Sequence, residues 1–304
     1  MKVFLGYVLA SMIFLSGHLQ ASDSLVVTTS IKPVSMIVKA IAGDKVKIEQ
    51  VVSNSASPHD FALRPSDIKK LYKADLIVWV GESLEPFLEK PIANSKVANS
   101  AIEWMLLVEG HDSEQGLNNH VEVKHHDHGD GHHHAGMDPH LWLDVEYAQI
   151  LAASITAKLA HLRPSLAAYF ANNLTQFEQA LTRIDAQNKD TLTSLSQANY
   201  VVFHDAYGYF ERHYNLQHVA NISLSPERKP GAKKVVALRK LMESKKVDCI
   251  FSEVQFNPAI VDVLIEGTQV KAIELDPLGA GIPLTKNAYP EFLEKMSQQF
   301  SQCG

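Results

Sequence analysis

The sequence predicts an α/β protein of two lobes, each a mainly parallel sheet flanked by helices, joined by one long rigid helix. Three observations carry this reading. Short β-rich runs alternate with helical patterns on both sides of the middle of the 304-residue chain. The strand candidates are continuous apolar runs, which suits parallel sheets covered on both faces. The gap between the two halves is filled by an uninterrupted helical pattern.

The first half opens with the strand SLVVTTS, the helical VSMIVKAIAG and the strand KVKIEQVVS. The helical SDIKKLYKA, the strand DLIVWVG and the helical SLEPFLEKPI follow. In the middle, VEYAQILAASITAKLAHLR is one amphipathic segment, and Pro164 starts another, as proline at a first helical position often does. No glycine or further proline interrupts the pattern from Pro164 to about Leu195, so a helix of about 30 residues, roughly 45 Å long, is expected there. The second half alternates NYVVFHD, the helical AYGYFERHY, LQHVANIS, the helical AKKVVALRKLMESKK and VDCIFSEV. It closes with the helical PAIVDVLIEGT, KAIEL and the helical YPEFLEKMSQQF. The expected division is an N-terminal lobe over residues 22–163, the linking helix over 164–195 and a C-terminal lobe over 196–304.

Residues 1–21 read as a secretory signal peptide, with Lys2, an apolar stretch from Val3 to Ser16 and a small-residue end at Ala21. The apolar run is short for a membrane span. Cleavage after Ala21 and a soluble, exported mature chain are therefore expected. Loss of Lys2 moves the formal charge from −6 to −7. A mildly acidic chain with no basic block is a poor nucleic-acid binder. In an oxidising compartment, Cys249 and Cys303 are expected to form a disulfide that pins the C-terminus to the core, worth about 4 kcal/mol on chain entropy. The alternative, thiol ligation of a metal, has no recognisable zinc spacing behind it.

Eight of the fifteen histidines fall within residues 111–136: His111, His120, His125, His126, His128, His132, His133 and His134. Imidazole is the commonest biological metal ligand, so the tract points to loose metal collection. Too few of its residues are bulky and apolar to offset ordering entropy, so it is expected to be floppy. Three other histidines have more specific contexts. His59 lies in SASPHDFALRPSD after a strand, His140 in MDPHLWLD after the tract, and His204 in VVFHDAY at a strand end. Ligands of open α/β sheets bind beyond the carboxyl ends of strands. Each of the three has an acid close by, Asp60, Asp138 and Asp205, able to accept the second ring N–H of a metal-bound imidazole. Asp276, in AIELDPLGAGIP, is a fourth candidate ligand. No phosphate-binding glycine loop and no GxSxG elbow is present.

The segments SASPHDFALRPSDIKKLYKADLIVWVG, MDPHLWLD, VVFHDAYGYFERHYNL, SPERKPGAKKV and IELDPLG resemble, in order, those of the solute-binding proteins of zinc ABC importers, the ZnuA-like branch. The resemblance covers essentially the whole mature chain, including the His-rich loop and the late cysteine pair. It implies two lobes joined by a long helix, with zinc between the lobes on His59, His140 and His204. Manganese-type relatives carry glutamate where His204 stands, and a three-nitrogen site suits zinc better. Some zinc members have an acid directly before the first histidine; here Pro58 stands there, which leaves the fourth position to Asp276, a water, or each at different times. Val145 replaces a proline found in many relatives. The resemblance implies periplasmic capture of Zn2+ by a monomer that delivers it to a membrane permease and exchanges it with periplasmic zinc chaperones. Two other classes are weighed: a zinc hydrolase or hydratase with a three-histidine site, and a zinc buffer without a transport role.

Overall fold

The computed structural model describes residues 24–114, 137–223 and 230–304. The proposed signal segment and seven of the eight tract histidines (His120, His125, His126, His128, His132, His133 and His134) lie outside the described residues.

In the N-terminal half, strands β1 (Leu25–Thr29), β2 (Val46–Gln50), β3 (Leu76–Trp79) and β4 (Ile102–Glu103) form one parallel sheet in the order β2-β1-β3-β4. Helices α1 (Lys32–Ala42), α2 (Pro65–Lys73), α3 (Pro86–Ala93) and α4 (Trp104–Glu114) alternate with them. The C-terminal half repeats the plan. Strands β5 (Tyr200–His204), β6 (Ala220–Ser223), β7 (Cys249–Glu253) and β8 (Lys271–Leu275) run parallel in the order β6-β5-β7-β8. Helices α7 (Gly208–His213), α8 (Ala232–Lys245), α9 (Ala259–Ile265) and α10 (Ala288–Ser301) accompany them. The central strands β3, β5 and β7 are buried along their whole length, while the outer strands β2 and β8 alternate with exposed residues. The continuous apolar runs and the mixed ones in the sequence thus sort into sheet centre and sheet edge.

Between the halves run α5 (Val145–Leu162) and α6 (Ala167–Leu192). The expected linking helix is present, but Pro164 opens a 3-10 turn over Pro164–Leu166, and a second such turn, Thr193–Gln197, ends it. The α-helical part holds 26 residues, about 39 Å. Its buried positions, Phe170, Asn173, Phe177, Leu181, Ile184, Asn188 and Leu192, recur every three or four residues and form one face. That face packs on α1, α5 and α10. One hydrophobic core runs through both lobes as a result, from Ile37 and Leu143 through Phe177 to Phe251 and Phe300. Cys249 and Cys303 form the expected disulfide, Cα atoms 5.7 Å apart, and tie the end of α10 to β7.

One expectation is corrected at the start of the tract. Its first residues are not loose chain: α4 continues to Glu114 and includes His111. Asp112 is buried and accepts a hydrogen bond from the Tyr147 hydroxyl at 3.2 Å.

Candidate metal centre

β1 lies between β2 and β3, and β5 between β6 and β7, so each sheet has a crevice at the carboxyl ends of its strands where the chain changes winding direction. His59 follows β2 in the loop before α2, and His204 is the last residue of β5. His140 precedes a 3-10 turn, Leu141–Leu143, that leads into α5. Asp144 starts that helix by accepting the backbone N–H groups of Glu146 and Tyr147 at 2.8 and 3.3 Å, the usual N-cap arrangement.

The three imidazoles meet between the lobes. Their ring centroids are 5.4, 5.6 and 5.3 Å apart, a nearly equilateral triangle. One nitrogen from each ring lies within 4.8 Å of the others, the only such metal-holding group among the described residues. The Nε2 atoms of His140 and His204 approach to 3.4 Å. Their Nδ1 atoms point away, to Asp138 Oδ1 at 2.6 Å and to Glu253 Oε1 at 2.7 Å. A carboxylate only accepts, so each Nδ1 carries the proton and each Nε2 presents a lone pair to the centre of the triangle. Burial, reinforced by the neighbouring His140 and His204, holds the His59 pKa down at about 2, so this ring is neutral across the physiological range.

Electrostatics favour a divalent cation here. A metal-ligating imidazole brings no charge, so the compensation comes from the two carboxylates, Asp138 and Glu253, one hydrogen bond behind the rings. A buried dication needs such compensation. The cavity between the rings is about 20 Å³, room for one ion or one water. Pro58, Trp142, Pro277 and Leu278 close much of its wall with apolar surface.

The loop carrying His140 is fastened from the other lobe. Tyr209 donates to the Asp138 carbonyl at 2.9 Å, Trp142 Nε1 to the Pro277 carbonyl at 2.7 Å, and the Tyr289 hydroxyl to the Trp142 carbonyl at 2.8 Å. Lys32, buried at the start of α1, donates to the Ala280 carbonyl at 2.8 Å.

The other candidates sort differently. Asp138 Oδ1 pairs with His140 Nδ1 and also accepts the His140 backbone N–H at 3.0 Å. The carboxylate on His204 Nδ1 is Glu253, 49 residues downstream, and not the adjacent Asp205. Burial pushes the Asp205 carboxyl up, and the cation that acts on it most is His218. Asp60 is exposed on the rim of the neighbouring cleft. Asp276 is buried but lies outside the three-histidine group; its carboxylate accepts from Gln255 Nε2 at 3.3 Å and from the Gly281 N–H at 3.4 Å. Glu253 was not singled out in the sequence. Its signal was an acid ending an otherwise apolar strand, since an acid is almost never fully buried unless it is paired.

Residues 27–303 match the family model of ZnuA, the zinc-uptake complex component A, periplasmic. The chain is 37% identical over 309 residues to a high-affinity zinc uptake system protein ZnuA of Yersinia pestis, covering 97% of this chain and 96% of that one. It is 38% identical to the protein of the same name from Haemophilus ducreyi, covering 91% and 92%. A solved ZnuA crystal structure superposes with a TM-score of 0.75 at 26% identity, over 92% of this chain and 99% of that chain. The periplasmic zinc-binding protein TroA of Treponema pallidum shares the fold, with a TM-score of 0.76 at 21% identity. With two parallel-sheet lobes, a long joining helix and a match from residue 27 to 303, the chain belongs to the ZnuA family of periplasmic zinc-uptake components.

Proposed function

We propose that this protein captures Zn2+ in the periplasm and delivers it to the membrane permease of a zinc ABC importer. The observation that carries the reading is the triangle of His59, His140 and His204 between the lobes, with two rings fixed by carboxylates from behind. Three nitrogen ligands with one open position is a common zinc geometry. His59, His140 and His204 are assigned as ligands, with Asp138 and Glu253 orienting the second and third. Asp276 is engaged elsewhere, so the fourth ligand is exogenous. Zinc is cargo and not a resident cofactor, so the site needs a route to release. Protons supply one, because a protonated imidazole cannot ligate.

Periplasmic location agrees with the family and with the signal-like residues 1–21, and no helix among the described residues is long and apolar enough to cross a membrane. The working form is a monomer of two lobes, 22–163 and 196–304, around the linking helix, and it exchanges zinc with periplasmic chaperones as well as with the permease. A hydrolase or hydratase reading is disfavoured by the match to a zinc-uptake component over nearly the whole chain and by the lack of a catalytic zinc motif such as HExxH in the sequence. His140→Ala, His59→Ala and His204→Ala test the assignment. Each weakens zinc binding by at least a hundredfold in a chelator competition while far-UV circular dichroism stays native, on the order of one lost ligand bond. Wild-type affinity in all three variants overturns it.

A further inference from the structure

We infer that the cleft beside the metal cavity is a second binding site, for a small amino-acid chelator that fills the fourth coordination position of the bound metal. This rests on the three-histidine reading above. Three imidazoles leave one tetrahedral position open. Pro58, Trp142, Pro277 and Leu278 offer that position no donor and Glu253 stands behind the His204 ring on its Nδ1, whereas Ser57, Gln255 and Phe256 belong both to the metal cavity and to an open cleft of about 1040 Å³ between the lobes. The open position therefore faces the cleft.

Gln255 stands at the junction with one half of its amide spoken for. Its Nε2 donates to Asp276 Oδ1, an acceptor-only group, and this sets the direction of the carboxamide. Its Oε1 is buried and has no hydrogen-bond partner among the described residues. A buried acceptor without a donor is rare enough to require an explanation. The amine of a metal-bound amino acid supplies the missing N–H. The cleft suits the rest of such a molecule. Phe61, Leu63 and Phe203 provide apolar wall, and Arg64 is the single cation among its described lining residues, the group there that a carboxylate would pair with. A volume of this size is typical of small-ligand sites and far exceeds what a bound water needs. Zinc delivered as an amino-acid complex then enters by exchange of ligands: the three histidine nitrogens replace the carrier's other donors, and one amine stays until the metal leaves.

The test uses the full mature chain loaded with one equivalent of zinc, titrated calorimetrically with L-histidine and, separately, with imidazole, which lacks the carboxylate. The expected result is one L-histidine per chain, with zinc retained through desalting. Arg64→Ala should weaken L-histidine about tenfold, as expected for loss of a charge-assisted hydrogen bond, and leave imidazole binding and zinc affinity without histidine unchanged. Absence of saturable histidine binding, removal of zinc by histidine, or equal binding to wild type and Arg64→Ala overturns the inference and indicates water as the fourth ligand. His140→Ala, assayed for zinc without histidine, separates the two failures: retention of tight zinc there refutes the three-histidine reading itself.

Discussion

Asp138 and Glu253 do the same work from opposite lobes: each holds a proton on the far nitrogen of its histidine and so frees the near one for metal. Asp138→Asn and Glu253→Gln keep the shape but remove the charge, and each is expected to lower zinc affinity about 10- to 100-fold, less than loss of a ligand. Chelator competition measures this; an unchanged affinity in both would leave the carboxylates without a role. Protons sharpen the picture. With an unfolded pKa of about 6.5 and a folded one of about 2, His59 takes up no proton when zinc leaves at pH 5.5, so calorimetry in buffers of different ionisation enthalpy should count fewer than three protons per zinc. A count of three contradicts the neutral, half-buried His59. The same depression makes the metal-free fold less stable as pH falls below about 6.5, because only the unfolded chain protonates this ring. The Asp138–His140 pair was legible in the sequence because its members are two residues apart in one turn. The Glu253–His204 pair was not, because it depends on β5 and β7 being neighbours, and linear spacing says nothing of strand order.

At the scale of elements, the His-rich tract divides at residue 114. Asp112 is buried and bonded to Tyr147, whose backbone carbonyl also receives the Trp104 indole N–H. Replacing residues 115–136 by a short linker should therefore keep one tight zinc and a native melting temperature, removing only weak, additional binding. A deletion from residue 111 should lose stability as well. A zinc titration and a thermal melt of both variants check this, and loss of tight zinc in the shorter deletion would place the tract in the primary site. A second element-level prediction concerns α7 and the segment before β6. Burial disfavours a charged His218, yet hydrogen bonds to Glu211 and its charge, with Asp205, outweigh this and raise the pKa. A raised folded pKa stabilises fully below the unfolded value of about 6.5 and is lost as pH rises through the folded value. His218→Ala should thus cost more stability at pH 6 than at pH 9, on the order of 1 kcal/mol, readable from denaturant melts. The linking helix was legible from its uninterrupted pattern. Its start was displaced from Pro164 to Ala167 because a tight turn at Arg163–Leu166 reverses the chain after α5, a tertiary demand that local pattern does not carry.

For the whole molecule, one core spans both lobes, and α6 and α10 lie along it, so the lobes are not independent bodies on a flexible hinge. Heating should unfold the zinc-free protein in a single transition, with zinc raising the midpoint by mass action. The disulfide adds to this: Cys303→Ser is expected to cost up to about 4 kcal/mol, because the bridge closes a long loop. The alternation of strands and helices in the two halves made the architecture readable before any coordinates. What remained hidden was the return of α10 across α6 and α1, since the pattern of α10 shows an apolar face but not its partner. The central claim is that zinc sits between the lobes on three imidazoles. X-ray absorption at the zinc edge, on protein lacking residues 115–136 and loaded with one zinc, tests it most directly. The account predicts three imidazole nitrogens and one further light atom, all at about 2.0–2.1 Å, with the imidazole signal reduced in His59→Ala; fewer than three imidazoles in the parent protein, or a sulfur ligand, would contradict it.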